Sequence, residues 1–363
     1  MNDKPASARP VHLPGSYLVL ELTNRCSLAC VHCSVAEGPA HPHHAQLGRL
    51  DPQLALDLFD DLAAVGARFT TLILFWLGEP LLHPHFGAIY RGALRAAQRH
   101  GIFDKIEVHS NATHLDAARI AGSLNRSPVP QVWHFSLDAI SQQTYTPVKG
   151  RDRFDKVQAN LRAFLAEKAR LQAPWPRPVF QFIVGSNNVH EVGAFRQFWE
   201  GECRRLGLPV RTAAQHVPPG DDAIVYFRQL DCPTAELQAQ ENAVFRRAMA
   251  EQRLALPRED RAPTQLKAQN LAPCSGYWKS PVVAWDGRLT VCTRDNLLEN
   301  AVGNLSDTPF SQLWWGGALD ARREKVAQGD YQGMPLCASC FIPRSSNHAD
   351  ISAVEIDAHK AGR

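Results

Sequence analysis

Residues 17–33 read YLVLELTNRCSLACVHC, an apolar run with strand character followed at once by a loop bearing Cys26, Cys30 and Cys33. Three residues and then two separate the thiols. A strand that runs straight into such a loop delivers the thiols at its C-terminal end, where parallel barrels place their chemistry. Three thiolates can hold three irons of a cubane [4Fe-4S] cluster and leave the fourth iron open to a ligand that is not protein. Zinc is the other reading, because cysteine and histidine both suit it; His32, or His41, His43 and His44 of the nearby HPHH stretch, would complete the site. His32 lies between the cysteines and HPHH reads as exposed loop, which weighs against zinc.

Working outward, short β-branched or aromatic runs alternate with amphipathic helices from residue 17 to about 215. That is the pattern of repeated βα units around a parallel sheet. Candidate strands fall at 17–21, 69–75, 105–109, 131–136, 179–184 and 209–213. Asp51 and Pro52 open a helix that Gly66 stops, and Phe154, Val157, Leu161 and Phe164, then Val192, Phe195, Trp199 and Leu206, repeat at helical spacing to cover the sheet. The expected fold is α/β, a partial (βα)6 barrel over 17–215. A Pro/Gly/Asp-rich link, VPPGDD, then introduces a linker and helical segment at 216–270. Residues 271–345 form a small auxiliary domain whose hairpin turns at Asp286-Gly287, and 346–363 are a tail.

The 363 residues carry 39 Lys plus Arg against 36 Asp plus Glu, with 45% apolar residues, which excludes disorder and collagen-like repeats. The longest apolar run, near 71–77, is far short of a bilayer span, and the first ten residues lack a signal-peptide core. A cytoplasmic protein without a membrane partner is expected. With no dense basic block, nucleic acid is not an expected partner either. Nine cysteines in a chain read as cytoplasmic point to metal or redox chemistry rather than disulfides. Besides the first three, Cys274, Cys292, Cys337 and Cys340 form a second group, with seventeen, forty-four and two residues between successive members. Four thiols can close one metal site, and spacing alone allows zinc or iron–sulfur. Cys203 and Cys232 stand apart; Cys203 continues a buried helix stripe and Cys232 falls in a loop.

The C-x-x-x-C-x-x-C loop resembles the hallmark of the radical S-adenosylmethionine (radical SAM) enzymes. LGEP at 77–80 is similar to their Gly-Gly-Glu-Pro motif, with Leu77 replacing the first glycine, while VHSNA at 108–112 and FSLDA at 135–139 resemble two further strand-end segments of the family. The resemblance implies that Cys26, Cys30 and Cys33 hold a [4Fe-4S] cluster bound to S-adenosylmethionine (SAM). It further implies that Gly78, Glu79 and Pro80 receive the methionyl amino group of SAM, and that Ser110, Asn111, Ser136 and Asp138 contact its ribose or carboxylate. Lys149 and Arg151 are candidate partners for that carboxylate, but they read rather as ordinary solvated charges.

The C-terminal cysteines resemble the SPASM and twitch auxiliary-cluster domains, and four cysteines imply the twitch version, with one auxiliary [4Fe-4S] cluster on Cys274, Cys292, Cys337 and Cys340. Family chemistry implies reductive cleavage of SAM to methionine and a 5′-deoxyadenosyl radical, which abstracts hydrogen from a substrate C–H. Reduced flavodoxin or ferredoxin would be the electron donor. The cysteine spacing is similar to that of twitch enzymes like 2-deoxy-scyllo-inosamine dehydrogenase, so the expected reaction is net two-electron oxidation of a small sugar or aminocyclitol-like natural-product intermediate. Alternatives are epimerisation with Cys232 as hydrogen donor, modification of a ribosomal peptide and, more distantly, a zinc scaffold without catalysis. No catalytic base is assigned.

Overall fold

The computed structural model describes residues 10–232, 234–257, 271, 273–340 and 351–361. Among the described residues, ten strands follow one another as β1 (Tyr17–Leu20), β2 (Phe69–Leu74), β3 (Phe103–Ser110), β4 (Gln131–Ser136), β5 (Arg177–Val184), β6 (Val210–Ala214), β7 (Ala223–Gln229), β8 (Val282–Val283), β9 (Arg288–Thr290) and β10 (Gly303–Asn304). The chain divides into two compact units. One comprises Met1–Arg25, Pro42–Glu107 and Gln265–Arg363, the other Cys26–His41 and Val108–Thr264.

In the first unit the strand order is β10-β9-β8-β1-β2. β1 runs parallel to β2 with Val19 opposite Ile73, and parallel to β8 with Val19 opposite Val282. Helix α1 (Pro52–Ala64) joins β1 to β2; Asp51 caps it by accepting the Gln53 N–H at 2.9 Å, and Pro52 starts it where a missing N–H costs nothing. Its buried stripe is Ala55, Leu58, Phe59 and Leu62. Helix α2 (Phe86–His100) ends at Gly101, whose left-handed backbone suits glycine. The hairpin expected at Asp286-Gly287 is present as the antiparallel pair β8 and β9.

In the second unit the order is β4-β5-β7-β6, all parallel. Successive side chains on a strand face opposite ways, so each strand serves two environments. On one face, Trp133 stacks on Phe164 of helix α5 (Phe154–Leu171), and Phe180 stacks on Trp199 of helix α6 (Val192–Arg205) with ring centroids 4.3 Å apart. Val132, Val179, Ile224 and Tyr226 form a separate apolar cluster.

The α/β class is as expected. Segment 216–270 differs, because besides helix α7 (Ala235–Glu251) it holds β7, inserted between β5 and β6. The run AIVYF at 223–227 has the composition of a buried strand, but VPPGDD just ahead of it reads as a linker. Trp199 is fully buried, so Trp199→Ala is expected to cost about 3–5 kcal/mol. A fall in the urea midpoint checks this, and an unchanged midpoint would show that the stack contributes little.

Candidate functional site

In the second unit, the three-cysteine loop docks on the end of helix α4 (Gln142–Lys149). The Ala29 and Val31 N–H groups donate to the carbonyls of Lys149 and Val148, each at 3.1 Å. The helix stops at Gly150, whose φ is +69°, and a Cβ there would lie 2.1 Å from the Ala29 carbonyl oxygen. Glycine is required on both counts. Beside the loop, the Asn111 amide nitrogen lies 3.6 Å from the Cys26 sulfur and 3.4 Å from Ser27 Oγ. The Asn111 Oδ1 accepts from the Thr113 N–H and hydroxyl at 3.0 and 2.6 Å, which fixes the amide orientation. Ser110 Oγ accepts the Ala112 N–H at 3.0 Å.

Lys149 departs from the expectation of a solvated charge. It is 1% exposed, its ammonium pairs with Asp138, and Ser136 Oγ lies 3.4 Å away. Asp138, also fully buried, accepts the Ile183 N–H at 2.7 Å on its other oxygen. Burial works to lower the Lys149 ammonium, but the Asp138 carboxylate, its hydrogen bond and the neighbouring Cys30 together hold the group above the ordinary lysine range. Burial raises the Cys30 thiol, and the Lys149 charge partly offsets that rise. Ser136, Asp138 and Lys149 are thus one cluster, joined to the thiol loop through the backbone of Lys149. Arg151 instead lines an open cleft of about 440 Å³ with Ser27, Thr113 and His114.

In the first unit, a Cβ on Gly78 would lie 1.9 Å from the Thr23 carbonyl oxygen, so the chain passes too close for any side chain. The Glu79 N–H donates to the carbonyl of Arg25, the residue before Cys26, at 2.8 Å. Glu79 and Pro80 are buried, and the Glu79 carboxylate accepts the Leu81 N–H at 3.0 Å, capping the turn Pro80–Leu82. Leu77 packs with Val19, Trp76 and Val282, so its side chain is accommodated where the family motif has glycine. The HPHH stretch is not exposed: His41, His43 and His44 are all buried.

The same unit holds the second thiol group. The Arg294 N–H donates to the Cys292 sulfur at 3.3 Å; the Tyr277 hydroxyl and the Asn300 amide approach the Cys337 sulfur at 3.5 and 3.7 Å. Asp295, fully buried, accepts the Glu299 and Asn300 N–H groups, each at 2.9 Å, and so shapes the loop that carries Asn300. Burial, with the neighbouring thiols adding to it, pushes Cys274 up to about 12 and Cys292 up to about 11. None of the nine cysteines is in a disulfide. A thiol is a weak acceptor and a metal-bound thiolate a strong one, so N–H and O–H groups directed at sulfur suit iron–sulfur ligation at both sites.

Cys203 is fully buried and pushed up to about 12 by burial. Burial also raises Cys232, whose backbone N–H is bonded by the Gln238 side chain at 2.9 Å. Both have the surroundings of packing thiols.

Comparison with known proteins agrees with this donor chemistry. Residues 20–185 match the radical SAM superfamily, so the chain carries a radical SAM domain. Residues 274–341 match the iron–sulfur cluster-binding SPASM domain, so the chain carries both modules, which bind a [4Fe-4S] cluster with SAM and auxiliary iron–sulfur respectively. GTP 3′,8-cyclase 2 of Mycobacterium bovis is 32% identical over 198 residues, covering 54% of this chain and 49% of that protein. The chain thus spans about half the length of this curated relative. The structure of anSMEcpe with bound AdoMet is similar in fold, with a TM-score of 0.57 at 13% identity over 96% of each chain. Streptococcus suis SuiB bound to S-adenosylmethionine gives 0.52 at 11% identity, over 87% of this chain and 66% of that one. Among the described residues no helix is long and apolar enough to cross a membrane.

Removing one partner of a buried ion pair leaves the other charge stranded. Lys149→Met is expected to destabilise the enzyme by about 3–5 kcal/mol, and adding Asp138→Asn should recover part of the loss. Urea denaturation of the single and double variants tests this; equal stability of Lys149→Met and wild type would refute it.

Proposed function

We propose that the enzyme carries out a net two-electron oxidation of a carbinol on a small sugar or aminocyclitol-like compound. In this reading Cys26, Cys30 and Cys33 hold the SAM-binding [4Fe-4S] cluster, and Cys274, Cys292, Cys337 and Cys340 hold one auxiliary [4Fe-4S] cluster. Gly78, Glu79 and Pro80 take the methionyl amino group, while Ser110, Asn111 and Ser136 offer hydroxyl and amide groups to the rest of SAM. Lys149 supplies the positive charge that a SAM carboxylate requires, and Asp138 acts through it by fixing the ammonium.

When bound, cluster and SAM together supply a 5′-deoxyadenosyl radical that takes one hydrogen atom from the substrate. The protein's part is to hold one C–H in place and keep competing hydrogen donors away. The observation that carries the oxidative reading is the fourth thiol of the C-terminal group. Four protein ligands leave a centre no position for substrate, and electron transfer is the chemistry such a closed centre offers. The electron donor is proposed to be reduced flavodoxin or ferredoxin, and the setting cytoplasmic. The packed environment of Cys232 gives epimerisation less support. Similarity to GTP 3′,8-cyclase over about half the chain favours a second reading, ring closure on a nucleoside triphosphate.

Anaerobic reconstitution is expected to give brown protein with about eight irons per chain, the content of two cubanes. With SAM and dithionite, a panel of aminocyclitols and amino sugars should yield deoxyadenosine and a product two hydrogens lighter by mass spectrometry. Cys26→Ala should abolish deoxyadenosine, whereas Cys337→Ala should spare it and lose the oxidised product. Conversion of GTP with no member of the panel oxidised would select the second reading, and colourless zinc protein would overturn both.

A further inference from the structure

Three hydrogen-bond donors converge on Glu21, the residue after β1, whose side chain is wholly buried. His43 Nε2 lies 3.1 and 3.0 Å from the two carboxylate oxygens. The Leu77 N–H reaches Oε1 at 3.1 Å, and the Trp285 N–H reaches Oε2 at 3.1 Å. A buried carboxylate is expensive unless its oxygens are occupied by donors, and here each donor comes from a different element of the first unit. Leu77 directly precedes Gly78. Trp285 sits in the turn between β8 and β9, and His43 lies in the turn Pro42–His44. The side chain that anchors His43 on Glu21 also packs edge-on against Trp76, with ring centroids 5.1 Å apart. Trp76 in turn donates its indole N–H to the Thr293 carbonyl at 2.9 Å.

The Leu77–Glu79 backbone is therefore held from two sides. Below it, the Gly78 Cα approaches the Thr23 carbonyl too closely for a Cβ, and the Glu79 N–H bonds to Arg25. Ahead of it, the orientation of the Leu77 peptide depends on Glu21. His43 Nε2 lies against both carboxylate oxygens, and the carboxylate cannot rotate without losing His43, Leu77 and Trp285 together.

We propose that the buried Glu21–His43 pair is a positioning pair for SAM binding: it sets the peptide plane of Leu77 and thereby presents the Gly78–Glu79–Pro80 backbone to the methionyl end of SAM. This rests on the reading that those three residues receive the methionyl amino group. Glu21 touches no cofactor atom; its effect passes through the Leu77 peptide. Glu21→Gln keeps the shape but places an amide NH2 against a donor, and so loses one of the bonds.

The test measures the SAM dissociation constant of the reconstituted enzyme, by equilibrium dialysis and by titrating the change SAM causes in the paramagnetic signal of the reduced cluster. Iron content and thermal midpoint are recorded alongside. Glu21→Gln is expected to weaken SAM binding about ten-fold, the equivalent of one hydrogen bond, with iron per chain unchanged. His43→Phe should do the same, and His43→Gln, which restores a donor, should recover most of the affinity. If Glu21→Gln fails to fold, the contrast between His43→Phe and His43→Gln decides the matter. Affinities within two-fold of wild type in Glu21→Gln and His43→Phe would overturn the proposal. Gly78→Ala, whose Cβ would push the motif backbone off the Thr23 carbonyl, separates the two readings: weakened binding there beside wild-type affinity in Glu21→Gln defeats the positioning role alone, whereas unaltered binding in Gly78→Ala defeats the assignment of the motif and the proposal with it.

Discussion

The three-cysteine loop is irregular chain, and two backbone hydrogen bonds to the last residues of α4 hold its middle in place. That contact depends on Gly150, because the Ala29 carbonyl occupies the space any side chain would need. Lys149 serves two purposes at the same junction. Its carbonyl accepts from the thiol loop, and its ammonium is drawn inward by Asp138, which is itself tied to β5 through Ile183. Loop geometry and local charge are therefore set by the backbone and the side chain of one residue. A shift of α4 along its axis would move the sulfurs and disturb the field at Cys30 in the same motion.

The second thiol group is built on different physics. Its thiols are scattered over sixty-odd residues, so short-range spacing cannot align them, and polar groups on intervening turns take over that task. Asp295 organises the turn that carries Asn300, and Asn300 and Tyr277 approach Cys337 from separate segments. Hydrogen bonds to sulfur lower the cost of negative charge on a ligand set and bear on its reduction potential. This site thus depends on side chains that no cysteine motif records, whereas the first depends largely on backbone.

The contrast explains what was legible in the sequence. Strands β1 to β6 announce themselves by local apolar runs, and the three cysteines by spacing on one loop, since both signals are short-range. The burial of Lys149 was not legible, because its partner Asp138 is eleven residues away across a helix and a charge beside Gly150 and Arg151 looks like surface. HPHH has loop composition, yet His43 is buried with its Nε2 paired to Glu21, twenty-two residues earlier. β7 was concealed by the Pro/Gly-rich stretch ahead of it. Tyr277, Asp295 and Asn300 gave no signal, since a lone polar residue near a cysteine is ordinary in sequence and acquires meaning only from a sulfur dozens of positions away.

The placement of β7 bears on the order in which the polypeptide can acquire structure during synthesis. Residues 210–214 leave the ribosome before 223–229, yet β6 stands beside β7 and not beside β5. The earlier segment has no neighbour to zip onto until the later one has taken its place. For that interval an apolar edge on β5 and an unpaired β6 coexist on the growing chain, and neither is closed until residues 223–229 have been made.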